Sequence, residues 1–214
     1  MITLGTDIII RKRSVKYLGL HIDDGLRFNE HIEVLKKKLS RLAGASYRLN
    51  SYFNQQASKV YYYSCVYSLI TYCLPVFGGA LATQRGSLLI RTHQRIVKNL
   101  FKSYSPTECP FKKNKLLKLP EIYKFYAGVH MFKILALGEN NTVSDTLAME
   151  TAAHDYNTRT RNNLRTPFPR VDAIKRSYKY QFIGIWNDIP QCAKNCDSLK
   201  SFKRVLSNYF LETY

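Results

Sequence analysis

Apolar residues recur at helical spacing through most of the chain. After Asn29, which can cap a helix, isoleucine and leucine follow one another at steps of three, four or seven residues, with basic residues between them. This period is typical of an amphipathic helix that buries one face. Further helices are predicted over residues of about 56–74, 84–102, 120–138 and 199–210. The chain is therefore predicted to be mainly α-helical.

The pattern changes near the N-terminus, where β-branched and aromatic residues gather. Ile8–Ile10 and Val15–Ile22 form two such runs, joined by the polar turn RKRS, and together they predict a short hairpin. Asp23, Asp24 and Gly25 then supply turn residues before the first helix. The predicted fold class is mainly α with a small N-terminal β-hairpin (α+β), in which two helical units follow one another.

The charge balance is strongly basic. Lys and Arg number 33 against 15 Asp and Glu, which gives a net charge of +18 and a pI near 9.8. A folded chain with this charge repels itself unless a polyanion lies near it. Nucleic acid is the usual partner, before an anionic membrane surface. Because 45% of the residues are hydrophobic, the chain has material for a core, which argues against disorder of the whole chain.

Two features bear on the compartment. No secretory signal opens the chain, and its five cysteines are scattered without the pairing of a zinc site. We therefore expect reduced thiols and an intracellular protein, nuclear or cytoplasmic and not secreted. Residues 60–84 carry no charge and are long enough to span a bilayer. Tyrosines occur throughout that run rather than at its ends, which favours a buried helix and no membrane partner.

A basic stripe is the strongest binding candidate from pattern alone. Arg91, Arg95, Lys98 and Lys102 recur at steps of four, three and four. This spacing places them on one side of a predicted helix that contains no acidic residue. Such a side can displace the counterions of a nucleic-acid backbone. The alternative is a solvated basic face without a partner.

Other groups are candidates for the same kind of partner. Lys36, Lys37 and Arg41 of the first helix add basic charge. A loop whose arginines are interleaved with Asn and Thr suits RNA, which arginine-rich segments often bind; the alternative is a flexible basic loop. The loop arginines are Arg159, Arg161, Arg165 and Arg170. Tyr61–Tyr67 could stack on unpaired bases, although aromatic residues at helical spacing more often form core.

Asp23 and Asp24 raise the question of a metal pair, because adjacent carboxylates at a strand end can hold the ions of a two-metal polymerase site. Such a site also needs a third carboxylate from a separate strand, and only Asp7 precedes the pair. Because the pair leads straight into a helix, we interpret it as turn residues. No catalytic residue and no metal ligand is predicted in this chain.

Several blocks occur in an order that resembles a known family. The blocks are SVKYLGLHID, FNEHIEVLKKKLSRLAGASYRL, VYYYSCVYSLITYCLPVFGG, RIVKNLF, TRTRNNLRTPFPR, and IWNDIP followed by SLKSFKRVL. Together they resemble the end of the palm, the thumb and the following segment of reverse transcriptases from jockey-like non-LTR retrotransposons. The resemblance covers nearly the whole chain.

The resemblance implies partners and contact residues. In this family the segment matching Tyr17-Leu18-Gly19 lies in the hairpin that steadies the primer end, so Tyr17 and Gly19 are expected to contact nucleic acid. The helices that follow form the thumb, which grips the template–primer duplex. The family's catalytic carboxylates lie upstream, and its aromatic-alanine-Asp-Asp box is absent here. The implied partners are RNA, the RNA–DNA duplex and the upstream palm and fingers. Mg²⁺ is expected for the parent polymerase, with no cofactor in this chain.

The resemblance also divides the chain and assigns it a role. Residues 1–28 would be a palm-edge β-hairpin, 29–103 a helical thumb-like region, and 104–214 a C-terminal helical unit with a basic loop at about 155–176. The chain is interpreted as a fragment of an RNA-directed DNA polymerase that binds the template–primer duplex and, alone, does not synthesise DNA. The alternatives are a stand-alone basic nucleic-acid-binding protein derived from a mobile element, and a decayed copy without function.

Overall fold

The computed structural model of the protein describes residues 2–4, 7–9, 12–101, 109–138, 163–166 and 168–214. These residues form a mainly helical chain with a small β element at its start, which confirms the predicted fold class. Buried side chains from the hairpin region, from the first helices and from the C-terminal helices belong to one hydrophobic core. The division of the chain into three parts stays a prediction.

The β element consists of two separate antiparallel hairpins. The strands are β1 (Ile2–Leu4), which pairs with β2 (Asp7–Ile9), and β3 (Ser14–Tyr17), which pairs with β4 (Leu20–Asp23). The predicted pairing of residues 8–10 with residues 15–22 is therefore wrong. The second run folds back on itself, and the polar turn RKRS separates two hairpins instead of joining the strands of one.

The second hairpin turns within the run of residues 15–22. Tyr17 lies opposite Leu20, so Leu18 and Gly19 form a two-residue loop. Their φ angles are 46° and 85°, left-handed at both positions as in a type I′ turn, whose twist matches that of the strands. Gly19 adopts this conformation at little cost, whereas Leu18 is strained in it.

The first long helix is α1 (Asn29–Leu49), which buries one apolar side. Asn29 is its first helical residue and not its cap, which corrects the prediction. Phe28 precedes the helix with a left-handed φ of 54° and a side chain only 4% exposed. Burial of the Phe28 ring, rather than a side-chain cap, therefore stabilises the entry of the chain into α1.

The tyrosine-rich run after α1 is a broken helix rather than the single helix predicted over residues 56–74. Its elements are α2 (Gln55–Tyr61), a π-helical stretch (Tyr62–Tyr67), α3 (Ser68–Thr71), α4 (Leu74–Phe77) and a 3₁₀-helix (Gly78–Ala82). The break falls at Cys73, whose φ is 55°. Pro75 lies in the first turn of α4 and does not end a helix, because a missing N–H is tolerated at that position.

This broken helix is largely buried. One residue per turn along it is almost inaccessible to solvent, and these residues are Tyr62, Val66, Ile70, Leu74 and Phe77. Among the described residues, no single helix is long and apolar enough to cross a membrane. Taken together, residues 55–71 and 74–82 are long and apolar enough to cross a membrane, but these two helical parts are bent by 51° relative to each other. Its apolar side chains pack inside this fold.

The helix α5 (Gln84–Leu100) packs alongside α1. Near its start, Arg85 lines the same pocket as Glu33 of α1. Near its end, Asn99 Nδ2 donates to the Ser46 hydroxyl of α1 at 3.2 Å. The two helices therefore run in the same direction, and we refer to them as the α1–α5 pair.

The C-terminal unit is built around one buried helix. Its helices are α6 (Pro110–Asn114), α7 (Leu119–Leu135), α8 (Asp172–Arg176), α9 (Tyr178–Asp188), α10 (Gln191–Lys194) and α11 (Leu199–Glu212). The central helix, α7, is apolar around most of its circumference and packs against α4, α9 and α11, as expected of a core helix. The Phe132 ring stacks on Phe202 of α11 with centroids 4.3 Å apart. Ser198 caps α11, since its hydroxyl accepts from the Ser201 N–H.

Candidate nucleic-acid interface

The exposed side of α5 carries three of the four residues predicted as a basic stripe. Arg91, Arg95 and Lys98 are exposed, and we call them the α5 stripe. The opposite side is buried and consists of Gly86, Leu89, Thr92, His93, Ile96, Val97 and Leu100. Burial of that side orients the helix so that the α5 stripe faces solvent. Lys102, the fourth predicted residue, lies outside the described residues.

The helix α1 contributes a second set of cations. Lys37 and Arg41 are exposed. Lys36 is half-buried, and its Nζ lies 3.9 Å from Glu33 Oε2. The charge of Lys36 is therefore partly compensated by its own helix, whereas Lys37 and Arg41 face solvent.

Helix geometry relates the two sets. With about 3.6 residues per turn, each position points in a defined direction around its helix axis. The hydrogen bond between Asn99 and Ser46 shows which side of each helix faces the other. Lys36 and Tyr47 then lie on the same solvent side of the pair as the α5 stripe. Arg41 points away from α5. By this geometry, the pair carries cations on the side of the α5 stripe and around the outer edge of α1.

Apart from the contact of Lys36 with Glu33, this surface lacks compensating charge among the described residues. No Asp or Glu occurs between Glu33 and Glu108, so α5 and all but the first turns of α1 contain no acid. Among the described residues, no residue of the α5 stripe has an ion-pair partner. Like charges at these spacings repel each other by about a few tenths of a kcal/mol per pair. A bound polyanion would remove that repulsion.

The hairpin tip holds Tyr17 and Gly19, the two residues that the resemblance assigns to nucleic-acid contact. Tyr17 is 63% exposed. The Tyr72 hydroxyl donates to the carbonyl of Leu18 and so ties the tip to the break between α3 and α4. The tip is therefore an exposed turn with a fixed attachment to the helical region.

The base of the same hairpin is fixed to α1 through Glu30. Its Oε2 accepts from the Ser14 hydroxyl at 2.6 Å, and its Oε1 lies 3.1 Å from Nδ1 of His21. The next residue, His31, packs edge-on against the Phe77 ring at 4.7 Å. Burial, helped by the neighbouring His21 and Lys38, lowers the pKa of His31 to about 4. The imidazole of His31 is therefore neutral in the folded chain at neutral pH.

Asp23 and Asp24 serve the turn that leads into α1. Oδ1 of Asp23 accepts from the backbone N–H of Gly25 at 3.1 Å and of Arg27 at 2.9 Å. The Asp24 N–H donates to the carbonyl of Arg13 at 3.0 Å. This is the turn role that their sequence context predicts. Within the described ranges, no group of three or more His, Cys, Asp or Glu side chains is arranged to hold a metal ion.

Only part of the predicted basic loop can be placed. Arg165 and Arg170 are exposed, whereas Arg159 and Arg161 lie outside the described residues. Leu164, next to Arg165, is buried, and its N–H and carbonyl both bond to the Asn187 side-chain amide at 2.9 and 3.0 Å. The part of the basic loop around Leu164 is therefore anchored on α9, close to the core.

Most of the cluster Tyr61–Tyr67 belongs to the core. The Tyr62 hydroxyl lies 3.0 Å from Nε2 of His93, and the Tyr67 hydroxyl lies 3.3 Å from that of Tyr126. Burial raises the pKa of Tyr62 and lowers the pKa of His93 to about 4, so both side chains are neutral at neutral pH. Within this cluster, Tyr63 is exposed and remains a candidate for base stacking.

Pattern analysis did not single out several exposed residues of this surface. Lys38 and Arg48 are further cations on α1, and Tyr47 and Tyr52 are exposed aromatic side chains at its C-terminal end. The absence of acidic residues from 34 to 107 was the signal that could have marked the whole region as one surface. Tyr47 and Tyr52 carried no separate signal, because tyrosine occurs throughout this part of the chain.

Comparison with protein-family models, curated proteins and solved structures found no match for this chain.

Proposed function

We propose that this chain is the template–primer-binding part of an RNA-directed DNA polymerase from a non-LTR retrotransposon. It binds the RNA–DNA duplex through the α1–α5 pair and does not carry the catalytic aspartates. The observation that supports this role best is the acid-free surface of the pair, on which the α5 stripe is exposed and lacks ion-pair partners among the described residues. The assignment to a retrotransposon polymerase rests on the resemblance of the ordered sequence blocks.

The α5 stripe suits a nucleic-acid backbone in charge and in size. A duplex presents one negative charge per about 1.7 Å of its axis. From Arg91 to Lys98 the helix rises by about 10 Å, so the stripe can reach several phosphates at once. Contacts to phosphate carry no sequence information, and a polymerase has to hold whatever sequence it copies.

The proposal separates holding from synthesis. The carboxylates that bind Mg²⁺ in the parent polymerase belong to the upstream palm, as the resemblance implies. Oδ1 of Asp23 already accepts two backbone N–H groups, which supports a turn role for this residue. The hairpin tip, with Tyr17 exposed and Leu18 tied to Tyr72, would contact the primer end while the α1–α5 pair holds the duplex behind it.

A charge-reversal variant tests the proposal. The triple change Arg91→Glu, Arg95→Glu and Lys98→Glu should weaken binding to an RNA–DNA heteroduplex of any sequence. Affinity is measured by fluorescence anisotropy over a series of salt concentrations. The slope of log affinity against log salt should fall by about 0.9 for each phosphate that the variant no longer neutralises, roughly two to three units in all.

The matched control lies on α11, which offers three exposed cations. Lys200→Glu, Lys203→Glu and Arg204→Glu change the net charge by the same amount in the C-terminal unit. We expect this control to alter affinity far less than the change in the α5 stripe. Equal losses in the two triple variants would mean that only net charge matters and would refute the proposed interface. The proposal as a whole fails if the unaltered chain does not bind heteroduplex in dilute salt.

A further inference from the structure

Two tyrosines at the C-terminal end of α1 are much more exposed than the other tyrosines of the helical core. Tyr47 is 73% exposed and Tyr52 is 84% exposed. Neither ring contacts another aromatic ring, and neither hydroxyl is hydrogen-bonded, within the part of the chain that the structure describes. By contrast, Tyr61, Tyr62 and Tyr67 pack in or against the core. Exposure of two large rings within six positions leaves their faces available to a partner.

A pocket of about 530 Å³ lies beside these tyrosines. Its polar lining includes Asn50, Ser51, Gln55 and Asn114, and its apolar lining includes Phe53 and Phe101. Tyr47 precedes the lining residue Asn50 by three residues in a helical turn, which makes their side chains neighbours on the surface. Tyr52 follows the lining residue Ser51 in the turn after α1. The rings and the pocket therefore both occur at the C-terminal end of the α1–α5 pair.

The floor of the pocket is a fixed polar group. Asn114 is only 7% exposed, its Oδ1 accepts from Gln55 Nε2 at 3.2 Å, and its Nδ2 donates to the Pro110 carbonyl at 2.9 Å. Oε1 of Gln55 has no hydrogen-bond partner among the described residues. Amides present donors and acceptors at a spacing that suits the hydrogen-bonding edges of nucleobases. The volume of the pocket lies in the range of small-ligand sites.

We infer that the C-terminal end of the α1–α5 pair binds an unpaired stretch of nucleic acid, with bases stacked on Tyr47 and Tyr52 and one base edge in the pocket at Asn114. This inference rests on the proposed function, since the duplex on the α5 stripe would deliver its single-stranded extension to this end. Aromatic faces beside cations are how single strands are held without sequence preference. Arg48 and Lys98, both exposed, supply the cations.

Charge favours nucleic acid over a protein at this site. The sequence from residue 34 to residue 107, which includes both tyrosines, contains no acid. Protein interfaces built on exposed tyrosines usually pair opposite charges around the rim. The exposed cations Arg48 and Lys98 beside the rings are complementary to a phosphate backbone.

The test uses one RNA–DNA heteroduplex in two forms, blunt and with a single-stranded extension of about four nucleotides. The extension carries 2-aminopurine, whose fluorescence falls when the base stacks. The unaltered chain should bind the extended form more tightly and quench the probe. The double variant Tyr47→Ala and Tyr52→Ala should lose at least roughly 30-fold in affinity for the extended form, with affinity for the blunt form unchanged. Tyr47→Phe and Tyr52→Phe, which keep the rings, should bind both forms as the unaltered chain does.

The control is Tyr209→Ala, which removes an exposed tyrosine from α11 and should leave both affinities unchanged. Equal affinity of the unaltered chain for blunt and extended forms would overturn the inference, while salt-dependent duplex binding would still support the proposed function. Equal loss for both forms in the double Ala variant would place the tyrosines on duplex and also overturn it. Loss of self-association in that variant, seen by sedimentation without any change in nucleic-acid binding, would assign the rings to a protein contact instead.

Discussion

The helices α5 and α7 have the same length, 17 residues each, but occupy different positions in the fold. The helix α5 alternates buried apolar positions with exposed basic ones, so that one side packs on the core and the other carries the α5 stripe. The helix α7 has no such division and packs against other helices on several sides. A helix that is apolar all round is held by its neighbours, whereas an amphipathic helix keeps one side for solvent or for a partner.

This difference between α7 and α5 predicts that substitutions in α7 change stability, whereas substitutions on the exposed side of α5 change binding. Side chains of α7 contribute to the core, so their replacement should unfold the chain without touching a partner site. Side chains on the exposed side of α5 contribute little to the core, so their replacement should change binding and leave the fold intact. Three sets of variants test this separation, in order from the largest expected effect to the smallest.

The largest effect is expected inside α7. Phe132 is fully buried and stacked on Phe202, so Phe132→Ala removes this contact and leaves a cavity. We expect the free energy of unfolding to fall by about 3–5 kcal/mol, measured by urea denaturation followed by circular dichroism. Arg95→Ala on the exposed side of α5 should change it by less than about 0.5 kcal/mol. A large loss in Arg95→Ala would mean that the α5 stripe holds the fold together.

Glycine substitutions sharpen the same comparison. At Gly128 of α7, an added Cβ would lie 2.7 Å from Ile189 Cδ1 and 2.9 Å from Leu206 Cδ2. Gly128→Ala should therefore destabilise the chain by a net of up to about 2 kcal/mol, because an overpacking cost of about 1–3 kcal/mol exceeds the gain of about 0.5–1 kcal/mol in helix propensity. Gly44 in the middle of α1 has nothing within 4 Å of that position, so Gly44→Ala should stabilise by about 0.5–1 kcal/mol through helix propensity. Thermal unfolding of both variants measures these effects. A change in stability of the same sign in the two variants would contradict the packing at Gly128 or at Gly44.

The buried side of α5 should also make stability depend on pH. Burial lowers the pKa of His93 to about 4, against about 6.5 in an unfolded chain. Between these values the unfolded state binds a proton that the folded state excludes. The contribution to stability is therefore fully present well above pH 6.5 and is lost as the pH drops towards 4, with a loss of roughly 1 kcal/mol between pH 7 and pH 5.5.

His93→Gln checks this assignment, because Gln does not titrate and can still hydrogen-bond the Tyr62 hydroxyl. Urea denaturation at a series of pH values should give a shallower dependence in this variant than in the unaltered chain. A residual slope is expected from His31, whose pKa burial also lowers to about 4. Identical slopes in variant and unaltered chain would show that His93 is not the group responsible.

Local pattern predicted the helices better than it predicted their connections. The periods of α1, α5 and α11 are long and regular, so their existence and their buried sides followed from spacing alone. The predicted hairpin pairing is wrong because Leu18 at a left-handed position is not a turn signal that residue type reveals. Pro75 lies two residues after the break at Cys73, in the first turn of α4, since proline can begin a helix as well as end one.

The candidate interface was predicted residue by residue, but its shape was not. Exposure of Arg91, Arg95 and Lys98 follows from their spacing relative to the apolar side of α5. Their nucleic-acid partner stays a proposal. The exposed rings of Tyr47 and Tyr52 could not be separated by pattern from the buried ring of Tyr62, because all three are tyrosines within helical or near-helical sequence. Depth of burial depends on neighbours distant in the chain.

The amino-acid sequence by itself determined the basic charge, the acid-free stretch from residue 34 to residue 107, and the side of each long helix that turns to the core. These properties are local, since a helix presents its residues around its own axis in an order that spacing alone defines. Only the tertiary structure decided that α1 and α5 run parallel, that the tyrosine-rich run breaks at Cys73, and that a pocket lined by Ser51 and Asn114 forms at the end of the pair. Those outcomes depend on which surfaces meet, because close packing selects partners by shape across long separations in the chain.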